Sequence, residues 1–502
     1  MHSEPVEKTA PLRALGKIGV MAAVTALLGW GAHGVGLAPH ALAVVAVCTF
    51  VAVICTTLFF WTHRVAVAFL GVALLVGSHA MTLHGMLRSA ELDIILFLIG
   101  LMIIVGALKD LGLLTWIIQS IVNRKRMTGT TFTIVLCALS ALLSGAIGEV
   151  SSIVVVLALV FQVCDTLKVR ATPFVLIAVL CTNIGSAATM LGNPVGVFIG
   201  NKAGFTFSQF LVGALPIAAV AFAVTVAVLL FWYRKPIAEM NLRMEEHRKV
   251  HQGLGPLIRI PHRRGLFVLV VTLLTAAFHH QIENALGLTE AENINAFLII
   301  TPLFIAGLLM IYRPQRARYY VEHEVEWWTL LFFMLLFAVA GGLQEQGVTQ
   351  NVADKLAAYA TGDAKALVPF VIGIASIGSA CVDNIVCVAA FNPVLQSLIE
   401  HSSDYSILWW ALLFGACFGG NITVVGSTAN IVALGLLERR GHTQIPFFEW
   451  LKIGLLIGTL TALIAWGMLA VMPMPKPMSY RSASAVNTQA QPGPQSPVKP
   501  AP

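Results

Sequence analysis

Residues 182–194 read Thr-Asn-Ile-Gly-Ser-Ala-Ala-Thr-Met-Leu-Gly-Asn-Pro, a polar, glycine-rich stretch inside an otherwise apolar run at 172–200. A second such stretch, Gly-Gly-Asn-Ile-Thr-Val-Val-Gly-Ser-Thr-Ala-Asn, occupies 419–430 within the run 406–437. Glycine and proline weaken a helix. Both runs therefore read as helices that unwind midway. In a membrane, unwound backbone is tolerated only where protein buries it or a water-filled cavity meets it. Freed carbonyls, with Asn, Ser and Thr oxygens, suit a hard cation, and amides at half-helix N-termini suit an anion.

The rest of the chain places these breaks in a bilayer. Of 502 residues, 58% are apolar and 11% are charged, against roughly a quarter charged in a soluble domain. That excludes a cytosolic enzyme, a disordered chain and a nucleic-acid-binding protein. Apolar runs of about 20 residues span a bilayer as helices, and they recur from residue 18 to 472. The expected fold is an all-α polytopic membrane protein. Ala41-Leu42-Ala43 resembles a signal-peptidase site, but the run 18–37 exceeds a signal core of about 7–15 residues. An uncleaved first helix is expected.

Cytoplasmic loops are enriched in Lys and Arg. With residues 1–17 in the cytoplasm, Arg124-Lys125-Arg126, Lys168, Arg170, Arg234-Lys235, Arg313 and Arg439-Arg440 all fall on that side only if the runs 130–164 and 366–400 dip in and return. Each is read as a re-entrant hairpin. About eleven transmembrane helices, two hairpins and two unwound helices follow. The first helical group spans 18–233, a basic cytoplasmic linker 234–264, the second group 265–472 and a disordered tail 473–502. His247, His251 and His262 are read as solvated linker histidines. The eight cysteines lie in apolar runs without CxxC spacing and read as small helix residues.

The two groups repeat. Phe97 to Gly112 matches Phe332 to Gly347 at an offset of 235, and Ser144 to Glu149 faces Ser379 to Asn384 at the same offset. Gly185, Thr189 and Gly192-Asn193 face Gly419, Thr423 and Gly426-Ser427 one residue out of step. The charge argument orients the halves oppositely, as in secondary transporters, whose sites lie where inverted repeats meet. Asp383 and Glu149 stand midway through the hairpins. An ionisable group at that depth costs roughly 2.5–3.5 kcal/mol even on insertion scales, so it has a partner or a task. The candidate ion half-site is Asp383, Asn384, Asn421, Thr423, Ser427 and Asn430, with Na⁺ placed at Asp383, Asn384, Asn421 and Ser427. The opposing half-site is Glu149, Ser151, Ser152, Asn183, Ser186, Thr189 and Asn193. No HExxH, GxSxG or Walker motif occurs, so no enzyme or ATP-driven pump is expected.

Met102 to Gly112, the 183–194 segment, Val382-Asp383-Asn384 and the 419–430 segment resemble the ion transporter superfamily. Within it the chain resembles the arsenite-permease, citrate-transporter-like and D-type sodium–proton antiporter group over roughly residues 40–472. The resemblance implies paired scaffold and transport domains, elevator-type motion, homodimers, and H⁺ or Na⁺ as coupling ion without a further cofactor. Two departures stand out. Where the family commonly has Gly-Asp-Pro-Pro-Asn, this chain has Gly192-Asn193-Pro194-Val195-Gly196. Where its first hairpin commonly carries Asp-Asn, this chain has Gly148-Glu149. The expected function is secondary transport of a small anion or oxyanion-like solute, such as arsenite or a dicarboxylate, across a bacterial-type inner membrane. A Na⁺/H⁺ antiporter is the alternative, and a channel-like protein a third reading.

Overall fold

A computed structural model describes residues 10–122, 124, 127–250, 261–286, 296–360, 363–441 and 445–476. Residues 1–9, the linker stretch 251–260 with His251, Lys125, Arg126 and the tail 477–502 lie outside the described residues. The described chain is helical throughout, with no strand among those residues.

The first group opens with α1 (Ala10–Gly34), α2 (Ala41–Phe59), α3 (Arg64–Gly77), α4 (Leu83–Ser89), α5 (Leu92–Asp110) and α6 (Leu113–Val122). Then come α7 (Gly129–Ile147), α8 (Glu149–Leu167), α9 (Thr172–Ser186), α10 (Pro194–Ala203), α11 (Phe207–Trp232) and α12 (Arg234–Val250). The second group holds α13 (Arg263–Ala277), α14 (His279–Leu286), α15 (Ala296–Tyr312), α16 (Pro314–Tyr319), α17 (Trp327–Glu345) and α18 (Val348–Ala360). It ends with α19 (Ala364–Cys381), α20 (Asn384–His401), α21 (Ile407–Gly419), α22 (Thr428–Arg439) and α23 (Phe447–Val471).

Among the described residues, eight helical segments are long and apolar enough to cross a bilayer, or nine if the bent pair α13 and α14 counts as one. Three of the eight are hairpin arms, α7, α8 and α19. The other five, or six with the bent pair, fall on expected spans, fewer than the eleven. Breaks divide α9 from α10 and α21 from α22, so that each piece alone is too short to qualify, and α3 and α15 are shorter apolar helices. The molecule is an all-α polytopic membrane protein.

Each hairpin is two helices folded back on each other. The first turns on one residue: Gly148 ends α7 and begins α8 at φ +88°. That backbone region favours glycine, which has no Cβ to clash. The second turns on Val382 and Asp383 in extended conformations open to any residue. Arm-to-arm bonds recur at one offset. Ser152 Oγ donates to the Ser140 carbonyl at 3.3 Å, and Cys387 Sγ to the Ala375 carbonyl at 3.5 Å.

Hairpin and broken helix pack by backbone approach. A Cβ on Gly185 of α9 would strike the Ala141 backbone of α7, and one on Gly419 of α21 would strike the Ser376 backbone of α19. Small residues allow such contact between membrane helices, where no hydrophobic effect drives association. The basic segment after α11 is partly helical. Its helix α12 buries Ile237, Met240 and Met244. It docks on the base of the first hairpin, where Asn241 exchanges bonds of 3.3 Å with Thr130 and Arg248 donates to the Met127 carbonyl at 2.7 Å.

This packing makes a direct comparison. Gly185→Ala and Gly419→Ala each overpack a backbone contact, expected to cost about 1–3 kcal/mol. Gly373→Ala on α19 meets open space and should leave stability unchanged or slightly raised. Thermal unfolding of the detergent-solubilised protein checks this. Equal transitions for all three variants would show that the glycines are not packing contacts.

Candidate functional site

Both breaks are held open by their own capping chemistry. After α9 stops at Ser186, Asn193 caps α10, its Oδ1 accepting from the Gly196 amide at 2.7 Å, with Pro194 in the first turn. Such caps satisfy amides that have no helical partner. Asn193 Nδ2 also donates to Ser186 Oγ at 2.8 Å, and Ser186 Oγ donates to the Asn183 carbonyl at 2.9 Å. In the second break Ser427 caps α22, accepting from the Ala429 amide at 3.2 Å. Asn430 Nδ2 donates to the carbonyls of Gly420 at 2.8 Å and Thr423 at 2.9 Å.

Each break is tied to its own hairpin by a threonine. Thr189 Oγ1 donates to the Gly145 carbonyl, and Thr423 Oγ1 to the Ala380 carbonyl, both at 2.5 Å. The breaks are tied to each other by a crossed pair of contacts. Asn183 Nδ2 on α9 donates to Asn421 Oδ1 and Asn430 Oδ1 in the second break, both at 2.9 Å. Asn193 Nδ2 in the first break reaches Cys417 Sγ on α21 at 3.2 Å. Asn183, Asn193, Asn421 and Asn430 are all buried.

The hairpin tips meet at the start of α22. Ser427 Oγ lies 3.5 Å from Glu149 Oε1, and Thr428 Oγ1 donates to Asp383 Oδ2 at 2.5 Å. Asp383 Oδ1 also caps its own helix, accepting from the Ile385 amide at 3.1 Å. Ser186 and Asn384 face the Glu149 carboxyl as well. Glu149 is 2% exposed and Asp383 1%. Two carboxyl groups, one from each hairpin, thus sit on adjacent hydroxyls at one helix N-terminus, the positive end of its dipole. Several polar atoms there, Glu149 Oε2, Asn183 Oδ1 and Asn421 Nδ2, have no hydrogen-bond partner within the protein.

The expected site residues therefore divide. Asn183, Asn421 and Asn430 converge, as do Glu149, Ser186, Asn384, Ser427 and Asp383. Thr189, Thr423 and Asn193 are there but are spent on bracing the breaks. Ser152 is spent inside the first hairpin, and Ser151 makes none of these bonds. Asp383, Asn384, Asn421 and Ser427 do not form one bonded cluster: Asn421 joins the Asn183 group, and Ser427 stands beside Glu149. No group of three or more His, Cys, Asp or Glu side chains suited to a metal ion occurs among the described residues. A hard cation here would draw on the Glu149 and Asp383 carboxylates with hydroxyl, carbonyl and amide oxygens.

Four participants escaped the sequence. Thr428 stands next to Ser427 in the quoted stretch, so its hydroxyl was in view. Cys417 reads as an apolar helix residue. Trp450 of α23 donates Nε1 to the Asn421 carbonyl at 3.1 Å, a contact no local pattern announces. Arg64, a lone charge between two apolar runs, is 3% exposed. Its Nη2 lies 3.4 Å from Thr329 Oγ1, and its guanidinium stands 4.9 Å from the Phe332 ring centre. Asp383 and Glu326 are within its electrostatic reach.

Comparison with known proteins identifies the family. The family model described as citrate transporter, CitMHS, matches residues 50–415. An uncharacterized transporter of Mycobacterium bovis is 29% identical over 433 residues, covering 84% of this chain and 97% of the relative. The P protein of Homo sapiens is 26% identical over 468 residues, covering 78% of this chain and 55% of that protein. Among solved structures, the Alcanivorax borkumensis YdaH transporter aligns with a TM-score of 0.48 at 16% identity, covering 78% of this chain and 87% of that one. The chain is a membrane transporter and belongs to the CitMHS citrate transporter family.

Proposed function

We propose that the chain is a secondary active transporter for a small carboxylate or related oxyanion, coupled to H⁺ or Na⁺. The observation that carries this is the meeting of Glu149 and Asp383 at Ser427-Thr428. Two buried carboxyl groups this close in an apolar interior are not both stable as bare anions. A proton or a hard cation relieves them, so occupancy of the pair is linked to a cation gradient. Membership of the citrate transporter family supports a carboxylate solute. The unpaired amide Nδ2 of Asn421 suits its oxygens.

In this reading the two helical groups are the two repeats. The hairpins and broken helices move together past a scaffold that includes α2, α3, α5, α15 and α17. The crossed contacts of Asn183 and Asn193 keep both breaks in one moving body. The same carboxyl pair also fits a cation–proton antiporter, the second reading.

Proteoliposome flux separates these readings. Uptake of labelled citrate, succinate or arsenite under imposed H⁺ or Na⁺ gradients is expected for wild type. Asp383→Asn should lower coupled uptake between about ten- and hundredfold, the span of a lost charged hydrogen bond. Glu149→Gln should flatten its dependence on pH. A folded Asp383→Asn protein that transports at the wild-type rate with unchanged coupling would remove Asp383 from the ion site. Cation-driven proton release with no anion flux would select the antiporter.

Asn183→Leu leaves the Asn421 and Asn430 oxygens without their shared donor, at an expected cost of about 1–3 kcal/mol. Its thermal transition should fall and its uptake should drop to background. Uptake at the wild-type level would show that the two breaks do not depend on Asn183.

A further inference from the structure

A cavity of about 540 Å³ opens between α17 and the α4–α5 turn on one side and α10 and α20 on the other. Its size falls within the usual range for a small-molecule site, about 300–1,000 Å³. Two of its walls belong to the central site. Helix α10 is the half-helix capped by Asn193, and α20 is the arm that leaves the second hairpin at Asp383. Phe198 of α10 and Phe337 of α17, both lining residues, are stacked with ring centres 4.8 Å apart. Phe198 is five residues beyond Asn193, roughly 7.5 Å along the helix axis at 1.5 Å per residue.

Two cations, Lys202 and Arg88, and two acids, Glu91 and Glu345, line this cavity, and Glu345 is held by the Thr82 amide at 2.9 Å and the Thr82 hydroxyl at 3.1 Å. Lys202 Nζ, in the last turn of α10, pairs with Glu91 at 2.5 Å. One residue earlier, Asn201 Nδ2 donates to Asp93 Oδ2 at 2.7 Å. These two contacts fasten the end of α10 to the start of α5. Arg88 is an exposed lining residue with no acidic partner among the described residues. Asn392 of α20 is 6% exposed, and its Oδ1 has no hydrogen-bond partner. Asn392 lines the cavity with this acceptor unsatisfied, and rotation of its side-chain amide would turn the NH₂ to the same space. The neighbouring Pro393 lacks an amide hydrogen, which leaves the Ala389 carbonyl without its helical partner.

We propose that this cavity is a loading vestibule for a small carboxylate or oxyanion. The anion takes the place of the Glu91 carboxylate on Lys202, with Arg88 as its second cation and the Asn392 amide as a neutral donor. In doing so it unfastens α10 from α5 and leaves the Phe198–Phe337 stack as the barrier between vestibule and breaks. The inference rests on the anion-transport reading above and adds to it a separate first binding site.

The test is calorimetric titration of the purified full-length protein with citrate, succinate and inorganic phosphate. At least one of these should bind wild type. Lys202→Met should weaken that binding by about tenfold or more and Arg88→Gln by severalfold, as expected for contacts to a charged ligand. Glu91→Gln should tighten it, because the competing carboxylate is gone. Arg88 is exposed, so Arg88→Gln keeps the test open if Lys202→Met fails to fold.

Wild-type affinity in both Arg88→Gln and Lys202→Met would overturn the vestibule. If Asn183→Leu abolished binding in the same series, the transport reading would stand without it. Weaker binding in Glu91→Gln would overturn the exchange. No binding of any probe to wild type would also overturn the vestibule, while the flux assays decide the transport reading independently.

Discussion

A helix broken inside a membrane exposes backbone groups that water cannot reach, and everything near the centre of this protein answers that constraint. Two breaks face each other, and each is closed by an asparagine. Asn193 caps one from its end, and Asn430 clamps the carbonyls of the other. Asn183 then joins the two through a single amide group. In an apolar interior an unmade bond of this kind costs the full desolvation of the group. The breaks therefore stabilise each other, and neither half is complete without its counterpart.

Much of this was legible because it is written twice. The spacing of Thr189 and Thr423, and of Gly185 and Gly419, reappears as matched bonds and matched backbone contacts. The hairpin turns are also where Glu149 and Asp383 announced them, since an acid in an apolar run is costly and visible. What was not legible crosses between the halves. Cys417 and Trp450 touch the site through neighbours distant in sequence, and nothing in their local pattern distinguishes them from packing residues. Asn193 was ambiguous in the sequence for a different reason. An oxygen-bearing residue before a proline serves equally as ligand or cap, and here the cap prevails. Arg64 lies in a connection that charge counting assigns to topology, yet packing has enclosed it.

The departures from the family pattern become intelligible in three dimensions. Gly196 occupies the position matching Asn430. A Cβ there would come within 2.9 Å of the Thr189 carbonyl, the counterpart of the Thr423 carbonyl that Asn430 engages. In the first half the backbone closes on that carbonyl where the second half uses a side chain. The acids are likewise displaced by one position between the hairpin tips, Gly148-Glu149 against Asp383-Asn384. The two acids meet at neighbouring hydroxyls, Ser427 and Thr428. The site is thus asymmetric although the scaffold that builds it repeats.

The docking of α12 has a mechanical consequence. The segment that joins the two halves is rigid at its start and anchored, through Met240 and the Asn241–Thr130 bonds, to the base of the first hairpin. Detaching α12 from that base would expose Ile237, Met240 and Met244 and break the Asn241–Thr130 and Arg248–Met127 contacts together. Helix and hairpin base therefore form one rigid body, and a force applied to either is felt by the other.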